Sequence, residues 1–393
     1  MYQRQALDLL DAASPASDAD RAPSGTSATM ASAARARVAS GMPYPRGTVC
    51  VSGASGFIAA HVVRELLERG YQVRGSVRGN PSERRFEVLR SLPGARERLT
   101  LHTADLMEGG VWGRLVAGCD AVVHAASPYL LDAADPKRDL IDPAVAGTRH
   151  VVGAAIEAGV ARVVFTSSLA AVTDEPETGR VFTEADWNER STATRNPYYA
   201  SKAAAERAAW ALEAQAGQGF RLVSINPALV IGPSLGSALN TSNAVVRDLL
   251  MGVSPVLVAL DWLVVDVRDV ARAHVAALEL DEAHGRYICA HEGVSMVDMA
   301  RMLRREGLAR GYPLPTLRLV GPLGTALARA FARTRPAGTR GYLLTHLGKS
   351  LAADGSRITR ELGIAYRDVR ETLRDTVVDL ERWGHLKRRP AAS

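Results

Sequence analysis

The chain has 393 residues, of which 47% are hydrophobic and 23% charged, and its formal net charge at pH 7 is +6. This composition is typical of a globular protein with a large core, and no apolar run approaches the roughly 18 residues that indicate a membrane-spanning helix. The positive charge is accompanied by no recognition motif for nucleic acid, so we expect neither a nucleic acid nor a membrane as a partner.

Residues 1–45 form the first distinct segment. They are rich in Ala, Ser, Asp and Pro and show little periodicity, which predicts a disordered extension. The start of the chain also lacks the apolar core of a signal peptide. Cys50, Cys119 and Cys289 are widely spaced and form no CxxC motif. These features favour a cytoplasmic protein with reduced thiols.

From Thr48 onwards, short apolar runs alternate with segments of helical periodicity. Helices are predicted from Ile58 to Arg69 and from about Asp139 to Ala158. The alternation predicts an α/β fold with a Rossmann-type doubly wound parallel sheet over residues 46–227. The predicted strands are Thr48–Ser52, Gln72–Val77, Leu99–Thr103, Ala121–Ala125, Ala161–Ser167 and Arg221–Asn226.

The alternation breaks down after Pro227. Residues 228–261 and 291–393 are expected to form a smaller, mainly helical C-terminal lobe that binds the substrate. Residues 262–290 are expected to return to the first domain. The three elements predicted there are a strand at Trp262–Asp266, a helix at Asp269–Leu280 and a strand at Arg286–Ala290.

The first predicted strand runs into a glycine-rich turn. Gly53 permits the tight turn, Gly56 allows the backbone to approach a phosphate, and the small Ala59 lets the following helix pack on the strand. Phe57 and Ile58 open that helix, so their N–H groups would face a dinucleotide pyrophosphate. The pattern predicts a dinucleotide-binding site.

The end of the second strand indicates which dinucleotide is bound. An NAD enzyme usually carries Asp or Glu about 20 residues after the glycine turn, to accept a hydrogen bond from the ribose. Here the strand contains no acid and ends at Arg78, whose guanidinium suits a 2′-phosphate. The sequence therefore favours NADP(H) over NAD(H). Arg84 and Arg85 follow, either as further phosphate ligands or as solvated surface residues.

The ends of the third and fourth strands supply further candidate cofactor contacts. Asp105 and Leu106 follow the third strand and could reach the adenine. His124 ends the fourth strand, and a lone histidine of this kind is more often structural than catalytic. The small residues after it are expected to lie beside the cofactor: Ala125, Ala126 and Ser127.

A tyrosine and a lysine four residues apart, Tyr198 and Lys202, share one face of a predicted helix. With 10 tyrosines and only four lysines in the chain, chance predicts about 0.1 such pairs. A nearby ammonium lowers the pKa of a phenol, which suits a proton donor. Asn196 and Pro197 are a plausible N-cap and first helical residue. Tyr199 points elsewhere on the helix and is expected to pack.

The fifth strand ends in two serines, Ser167 and Ser168. A hydroxyl at this edge of the sheet can stabilise the oxygen of a carbonyl substrate as charge develops on it. Ser168 is the preferred candidate and Ser167 the alternative. No metal-binding motif is present, so no metal is expected.

With these motifs the chain resembles the extended short-chain dehydrogenase/reductases over roughly residues 47–385. Within them it looks most like the branch of dihydroflavonol, cinnamoyl-CoA and microbial aldehyde or ketone reductases. Many extended members carry an asparagine where Pro143 and Ala144 stand here, as in the reductase branch. The segments that carry the resemblance are Gly53–Ala59, Val77–Arg78, Asp139–Thr148, Val164–Ser168, Tyr198–Lys202, Asn226–Pro233 and Asp266–Val270.

The resemblance implies a catalytic triad of Ser168, Tyr198 and Lys202. It also implies that Arg78 binds the NADP phosphate and that Pro227 and Val230 lie along the nicotinamide. The implied reaction is reduction of a ketone or aldehyde by NADPH, with the proton donated by Tyr198. The implied partner is a small carbonyl compound, bound by a monomer or homodimer.

A sugar-nucleotide epimerase or dehydratase of the same fold is the alternative. Dehydratases usually follow the hydroxyl of strand five with an Asp-Glu pair, but here Leu169 to Val172 are apolar. The loops 128–136, 173–195 and 232–255 are expected to line the substrate pocket. Within two of them, Tyr129 and Trp187 are candidate contacts, each with simple packing as the alternative.

Overall fold

A computed structural model of the chain describes residues 47–128 and 133–387. The predicted extension at residues 1–45 and the candidate contact Tyr129 lie outside the described residues. In chain order the strands are β1 (Thr48–Ser52), β2 (Gln72–Val77), β3 (Leu99–Thr103), β4 (Ala121–His124), β5 (Arg162–Thr166), β6 (Val181–Phe182), β7 (Arg221–Pro227), β8 (Leu229–Ile231), β9 (Leu257–Val258), β10 (Asp261–Asp266), β11 (Gly285–Cys289), β12 (Glu292–Ser295), β13 (Arg318–Leu319) and β14 (Ala352–Ala353).

In the described residues up to Glu279 the helices alternate with the strands, and after that they predominate. In chain order they are α1 (Phe57–Glu68), α2 (Glu87–Arg90), α3 (Ala95–Arg98), α4 (Gly109–Val116), α5 (Asp142–Glu157), α6 (Pro197–Ala216), α7 (Thr241–Leu250), α8 (Val267–Glu279), α9 (Met296–Arg305), α10 (Gly321–Ala332), α11 (Ala337–His346), α12 (Ser356–Leu362) and α13 (Val369–Arg382). A π-helical turn at Lys137–Ile141 leads directly into α5.

The main sheet has seven parallel strands in the order β3-β2-β1-β4-β5-β7-β11. Strands β4 and β5 are buried at every position, as expected where helices cover both faces of a parallel sheet. Helices α1 and α8 pack on one face, through residues such as Leu66 and Val270. Helices α4, α5 and α6 pack on the other, through residues such as Val151 and Ala205. The predicted Rossmann-type doubly wound sheet is confirmed.

A second, three-stranded sheet has the order β12-β10-β8, with β10 parallel to β8 and antiparallel to β12. Strand β8 begins only two residues after Pro227 ends β7, so it turns out of the main sheet and pairs with β10. Of the two strands expected to return to the main sheet, only β11 does so, beside β7. The segment predicted at Trp262–Asp266 pairs in the small sheet instead.

The C-terminal elements surround the small sheet. Helices α7, α9 and α13 bury apolar residues together, for example Leu250, Leu303 and Leu373. Helix α10 lies against α11 and against the segment around Leu260. Within the described ranges, no helix is both long and apolar enough to cross a membrane.

Candidate active site

The turn between β1 and α1 is shaped by glycine backbone. Gly53 has φ of 65°, and its N–H donates to the Ser76 hydroxyl at 2.9 Å. A Cβ on Gly53 would lie 3.1 Å from the backbone of Ala126, and one on Gly56 would lie 3.2 Å from the Gly53 carbonyl oxygen. The turn therefore needs glycine at 53, both for the left-handed conformation and for the close approach of the loop that follows β4.

Helix α1 begins at Phe57, and no side chain caps its N-terminus. The N–H of Gly56 donates to the Gly53 carbonyl at 2.8 Å, and Gly56 itself is exposed. Phe57 and Ile58 are half-buried and supply the first N–H groups of the helix. An uncapped helix start beside a tight glycine turn fits the pyrophosphate of a dinucleotide, because the helix dipole and the open N–H groups both favour negative charge.

Arg78 is exposed at the end of β2, where the strand carries no carboxylate. Its neighbour Arg85 is held locally: it forms an ion pair with Glu83 at 2.8 Å and donates to the carbonyl oxygen of Arg78. Arg84 is exposed. The side chain of Arg78 thus extends from the strand end that would face an adenosine ribose, which fits a ribose 2′-phosphate.

Asp105 and Leu106 follow β3 and differ in their surroundings: the first is exposed and the second packs against a helix. Asp105 is exposed, and its carboxylate accepts from the N–H of Met107 at 2.8 Å. Leu106 packs against α5 so closely that a Cβ on Gly147 would lie 2.3 Å from its side chain. Both residues are at the sheet edge predicted for the adenine.

His124 at the end of β4 holds the next loop in place. The Ser52 hydroxyl accepts from the N–H groups of Ala125 and Ala126, each at 3.0 Å, so its own proton goes to His124 Nδ1 at 2.8 Å. Burial, together with the positive charge of Lys202, lowers the pKa of His124 to about 3. The imidazole is therefore neutral and structural, as the sequence suggested. The next residue, Ser127, is half-buried beside this turn.

Tyr198 is the second residue of α6, and Lys202 follows one helical turn later. The lysine is only 7% exposed, and burial lowers the pKa of its ammonium to about 8, against the opposing effect of Glu206. A cation that is buried but still charged at neutral pH suits the stabilisation of a phenolate.

The two serines after β5 have different environments. The Ser167 hydroxyl is buried and donates to the Glu206 carboxylate at 2.6 Å. The Ser168 hydroxyl instead accepts from the N–H of Ala170 at 3.1 Å and faces a cavity. Only Ser168 can contact a ligand in the cavity, because the Ser167 hydroxyl is buried and already donates its proton to Glu206.

A cavity of about 300 Å³ brings the candidate catalytic hydroxyls together. Ser168, Tyr198 and Pro227 line it, and Val230 is buried in the adjoining strand β8. From the loops predicted to line it, Thr173, Thr241, Ser242 and Val245 do so, the last three as part of α7. The candidate contact Trp187 is not among the lining residues, because it stacks on the guanidinium of Arg286 at 4.0 Å.

The C-terminal lobe supplies lining residues that sequence reasoning missed. Helix α11 contributes Tyr342 and His346, whose rings stack with centroids 4.2 Å apart. The Tyr199 hydroxyl lies 3.3 Å from His346 Nε2, so Tyr199 belongs to the cavity wall rather than to the packing alone. Trp262, from β10, lies on the same wall. No local pattern at these positions distinguishes them from ordinary apolar residues.

A buried carboxylate, Glu206, lies one helical turn after Lys202. It accepts from Ser167 at 2.6 Å, from Asn226 Nδ2 at 2.7 Å and from Arg286 Nε at 2.7 Å. These donors come from the loop after β5, from β7 and from β11. Glu206 therefore fixes α6, and with it the Tyr-Lys pair, against three neighbouring parts of the main sheet. Its helical spacing from Lys202 was a signal that the sequence reasoning did not use.

Asn196 precedes α6, and Pro197 opens the helix as predicted. The predicted N-cap is not formed, because Asn196 adopts a left-handed conformation with φ of 48° and its side chain makes no cap hydrogen bond. Instead its amide donates to Asp174 at 2.9 Å and lies 3.4 Å from the Thr345 hydroxyl of α11. The start of the catalytic helix is thereby tied to the C-terminal lobe.

Comparison with known proteins identifies the family. The profile of the NAD dependent epimerase/dehydratase family matches residues 49–290, which include the glycine turn, Ser168 and the Tyr-Lys pair. The chain belongs to that family. Cinnamoyl-CoA reductase 2 of Arabidopsis thaliana is 37% identical over 342 residues, covering 86% of this chain and 93% of that protein. Dihydroflavonol 4-reductase of Hordeum vulgare is 36% identical over 266 residues, covering 66% and 75%.

Solved structures of similar proteins have the same fold. The yeast methylglyoxal/isovaleraldehyde reductase Gre2, solved with NADPH, is 29% identical, with a TM-score of 0.68. The match covers 86% of this chain and all of that one. The predicted resemblance to extended short-chain reductases of the dihydroflavonol and cinnamoyl-CoA branch is confirmed.

Proposed function

We propose that the protein is an NADPH-dependent reductase that converts a ketone or aldehyde to an alcohol. The observation that carries the proposal is the shared cavity of Ser168 and Tyr198, one helical turn from the buried, positively charged Lys202. The relatives support it, since those named above are reductases and Gre2 was solved with NADPH.

The cofactor contacts would come from three parts of the described chain. The glycine turn and the start of α1 would hold the pyrophosphate, and Arg78 the 2′-phosphate. Lys202 would bind the nicotinamide ribose. When bound, NADPH supplies the hydride for the carbonyl carbon.

Side chains of the protein supply the proton and stabilise the charge that its transfer leaves. Tyr198 donates its phenolic proton to the carbonyl oxygen, and the ammonium of Lys202 stabilises the phenolate that remains. The Ser168 hydroxyl accepts from the N–H of Ala170, which leaves its own proton available for the substrate oxygen. The largely apolar wall around these groups limits water near the reacting carbonyl.

A sugar-nucleotide epimerase or dehydratase is the weaker alternative. The turn after β5 consists of Leu169–Ala171, which are buried, so it offers no carboxylate for dehydration. The named relatives with the highest coverage act on carbonyl compounds according to their names, rather than on nucleotide sugars.

The test compares Tyr198→Phe with Tyr199→Phe, because both tyrosines line the cavity. Oxidation of NADPH is followed over a panel of aldehydes and ketones, and NADPH affinity by fluorescence titration. We expect Tyr198→Phe to lower kcat by about 10²–10⁴-fold while NADPH affinity stays nearly unchanged. Tyr199→Phe should retain kcat within a few-fold. Wild-type turnover by Tyr198→Phe, or turnover of UDP-sugars in place of simple carbonyls, would exclude the proposal.

We also propose a cytoplasmic location. The three cysteines are buried, and none forms a disulfide within the described ranges. This arrangement supports a reducing compartment.

A further inference from the structure

Helix α10 exposes a row of large apolar side chains. Leu323, Leu327 and Phe331, each four residues apart, are 75%, 53% and 59% exposed. Val320 and Leu317, just before the helix, extend the row at 44% and 63%. We call these five residues the apolar ridge. Such a continuous exposed surface is unusual on a globular protein and marks an interaction site.

The same helix contacts the body of the protein through its small residues. Gly324, Ala328 and Ala332 are buried, and a Cβ on Gly324 would lie 2.6 Å from the backbone of Leu319. Ala328 and Ala332 pack on Leu260 and Leu347. An amphipathic helix usually buries its large apolar residues, so this helix is oriented the opposite way. The orientation is fixed by close packing on the small residues and leaves the ridge outward.

The sequence segment that contains the ridge carries basic residues and no acidic ones. Residues 307–353 contain seven Lys or Arg and no Asp or Glu, whereas the rest of the chain has 41 basic and 42 acidic residues. The whole positive excess of the protein therefore belongs to this one segment. The segment stands out because it lacks compensating carboxylates.

Four arginines lie in or next to the ridge in sequence: Arg318 between Leu317 and Val320, and Arg333, Arg335 and Arg340 after Phe331. All four are exposed, and in the part of the chain that the structure describes none has an ion-pair partner. The guanidinium of Arg335 lies 4.4 Å from the ring centre of Phe331, so charge and apolar surface are in direct contact.

We propose that the apolar ridge and these arginines dock the protein on the surface of an anionic lipid bilayer. A helix that lies in the plane of the interface inserts Leu and Phe side chains among the acyl chains, while flanking cationic side chains reach the headgroups. Anionic lipid attracts each such arginine. The proposal departs from the sequence-based expectation of no membrane partner, which rested on the lack of a membrane-spanning segment. Peripheral binding needs no such segment.

Charge and shape favour a bilayer over two other occupants. In a symmetric dimer formed through this face, the ridge would meet itself, and the same uncompensated arginines would be brought together. An acidic protein partner would satisfy the charge but would need a groove matched to the ridge. A side chain as exposed as Leu323 projects freely, and a soft lipid surface accepts it without such a groove.

The test measures co-sedimentation of the full chain with phosphatidylcholine vesicles that do or do not contain phosphatidylserine. We expect binding only to the phosphatidylserine vesicles, weakening as salt is added. The ridge variant Leu323→Ser/Leu327→Ser/Phe331→Ser should lose binding. The charge variant Arg333→Gln/Arg335→Gln should bind more weakly by about fivefold for each arginine removed.

Matched controls change residues of the same kind outside the segment. Val253→Ser with Val378→Ser removes two exposed apolar side chains, and Arg96→Gln removes one exposed charge. These variants should bind vesicles as the wild type does. Thermal unfolding establishes that each variant is folded, so the result is independent of the proposed reductase activity.

Three outcomes would overturn the proposal. The first is equal binding to vesicles with and without phosphatidylserine, or equal losses in the control variants. The second is a dimer, detected by sedimentation velocity, that the ridge variant abolishes while vesicles bind neither protein. The third is binding of poly-glutamate, an acidic polypeptide, without binding of vesicles.

Discussion

At the scale of single residues, Ser167 and Ser168 show how neighbours of the same type acquire different roles. The hydroxyl of Ser167 donates a hydrogen bond to a buried carboxylate, whereas that of Ser168 accepts one from a backbone N–H and faces the cavity. The sequence could rank the two serines but could not separate them, because the difference depends on Glu206, which is 39 residues away from Ser167 in the chain.

Replacing each serine by alanine should therefore have opposite effects. Ser168→Ala is expected to lower kcat by about 10²-fold, as when a hydrogen-bond donor to a developing oxyanion is removed, with little change in stability. Ser167→Ala should keep kcat near the wild-type value but reduce the free energy of unfolding by about 1–3 kcal/mol, because Glu206 loses a buried donor. Steady-state kinetics and urea unfolding measure the two effects. If the effects were exchanged, the assignment of Ser168 would be wrong.

At the scale of elements, helix α6 is held in place by the Glu206 carboxylate and Arg286, whose ion pair is almost completely buried. The helix carries Tyr198 and Lys202 on the turns before this pair. Since β5, β7 and β11 all approach the carboxylate, its role is to keep the helix in register with the sheet edge. It stabilises the geometry of the site without touching the cavity.

Glu206→Gln tests this anchor. The substitution leaves the Arg286 guanidinium buried without its counter-charge, so we expect a loss of about 3–5 kcal/mol in the free energy of unfolding. Glu177, whose ion pairs with Arg180 and Arg190 lie at the surface, is the matched control, and Glu177→Gln should cost less than about 1 kcal/mol. Urea titrations of both variants give the comparison. Similar small losses in both would show that α6 does not depend on the buried pair.

The elements of the main sheet were largely predictable, and those of the C-terminal lobe were not. Strands such as Thr48–Ser52 and Gln72–Val77 have the predicted bounds because buried parallel strands form short, continuous apolar runs. Strand β10 was wrongly assigned to the main sheet, because its pairing depends on where β8 turns and leaves no local pattern. The contribution of helix α11 to the cavity was not predictable either, because only the folded chain places Tyr342 and His346 beside Tyr199.

At the scale of the whole molecule, four histidines are buried in different parts of the structure. Burial lowers the pKa of His61, His274 and His346 to about 4 and that of His124 to about 3. In the unfolded chain each would titrate at about 6.5. The unfolded state therefore takes up protons in a pH range in which the folded state does not.

Stability should accordingly be fully present above about pH 6.5 and decrease as the pH falls towards about 4. The slope is at most about 1.4 kcal/mol per pH unit for each histidine. Urea unfolding at about pH 7 and about pH 5 measures the effect. His274→Gln, which keeps a polar group near Thr166, should show a shallower dependence. An unchanged urea midpoint at the two pH values would contradict the expectation.

The residues that would bind the cofactor come earlier in the chain than some of those that line the substrate cavity, which affects the order in which the two sites form during synthesis. The seven-stranded sheet is complete at Cys289, so every predicted cofactor contact precedes that residue. The acceptor cavity also needs Tyr342 and His346, and Asn196 at the head of the catalytic helix reaches Thr345. A nascent chain would thus assemble the coenzyme half some fifty residues before it could enclose a carbonyl compound, which ties substrate turnover to the last stage of folding.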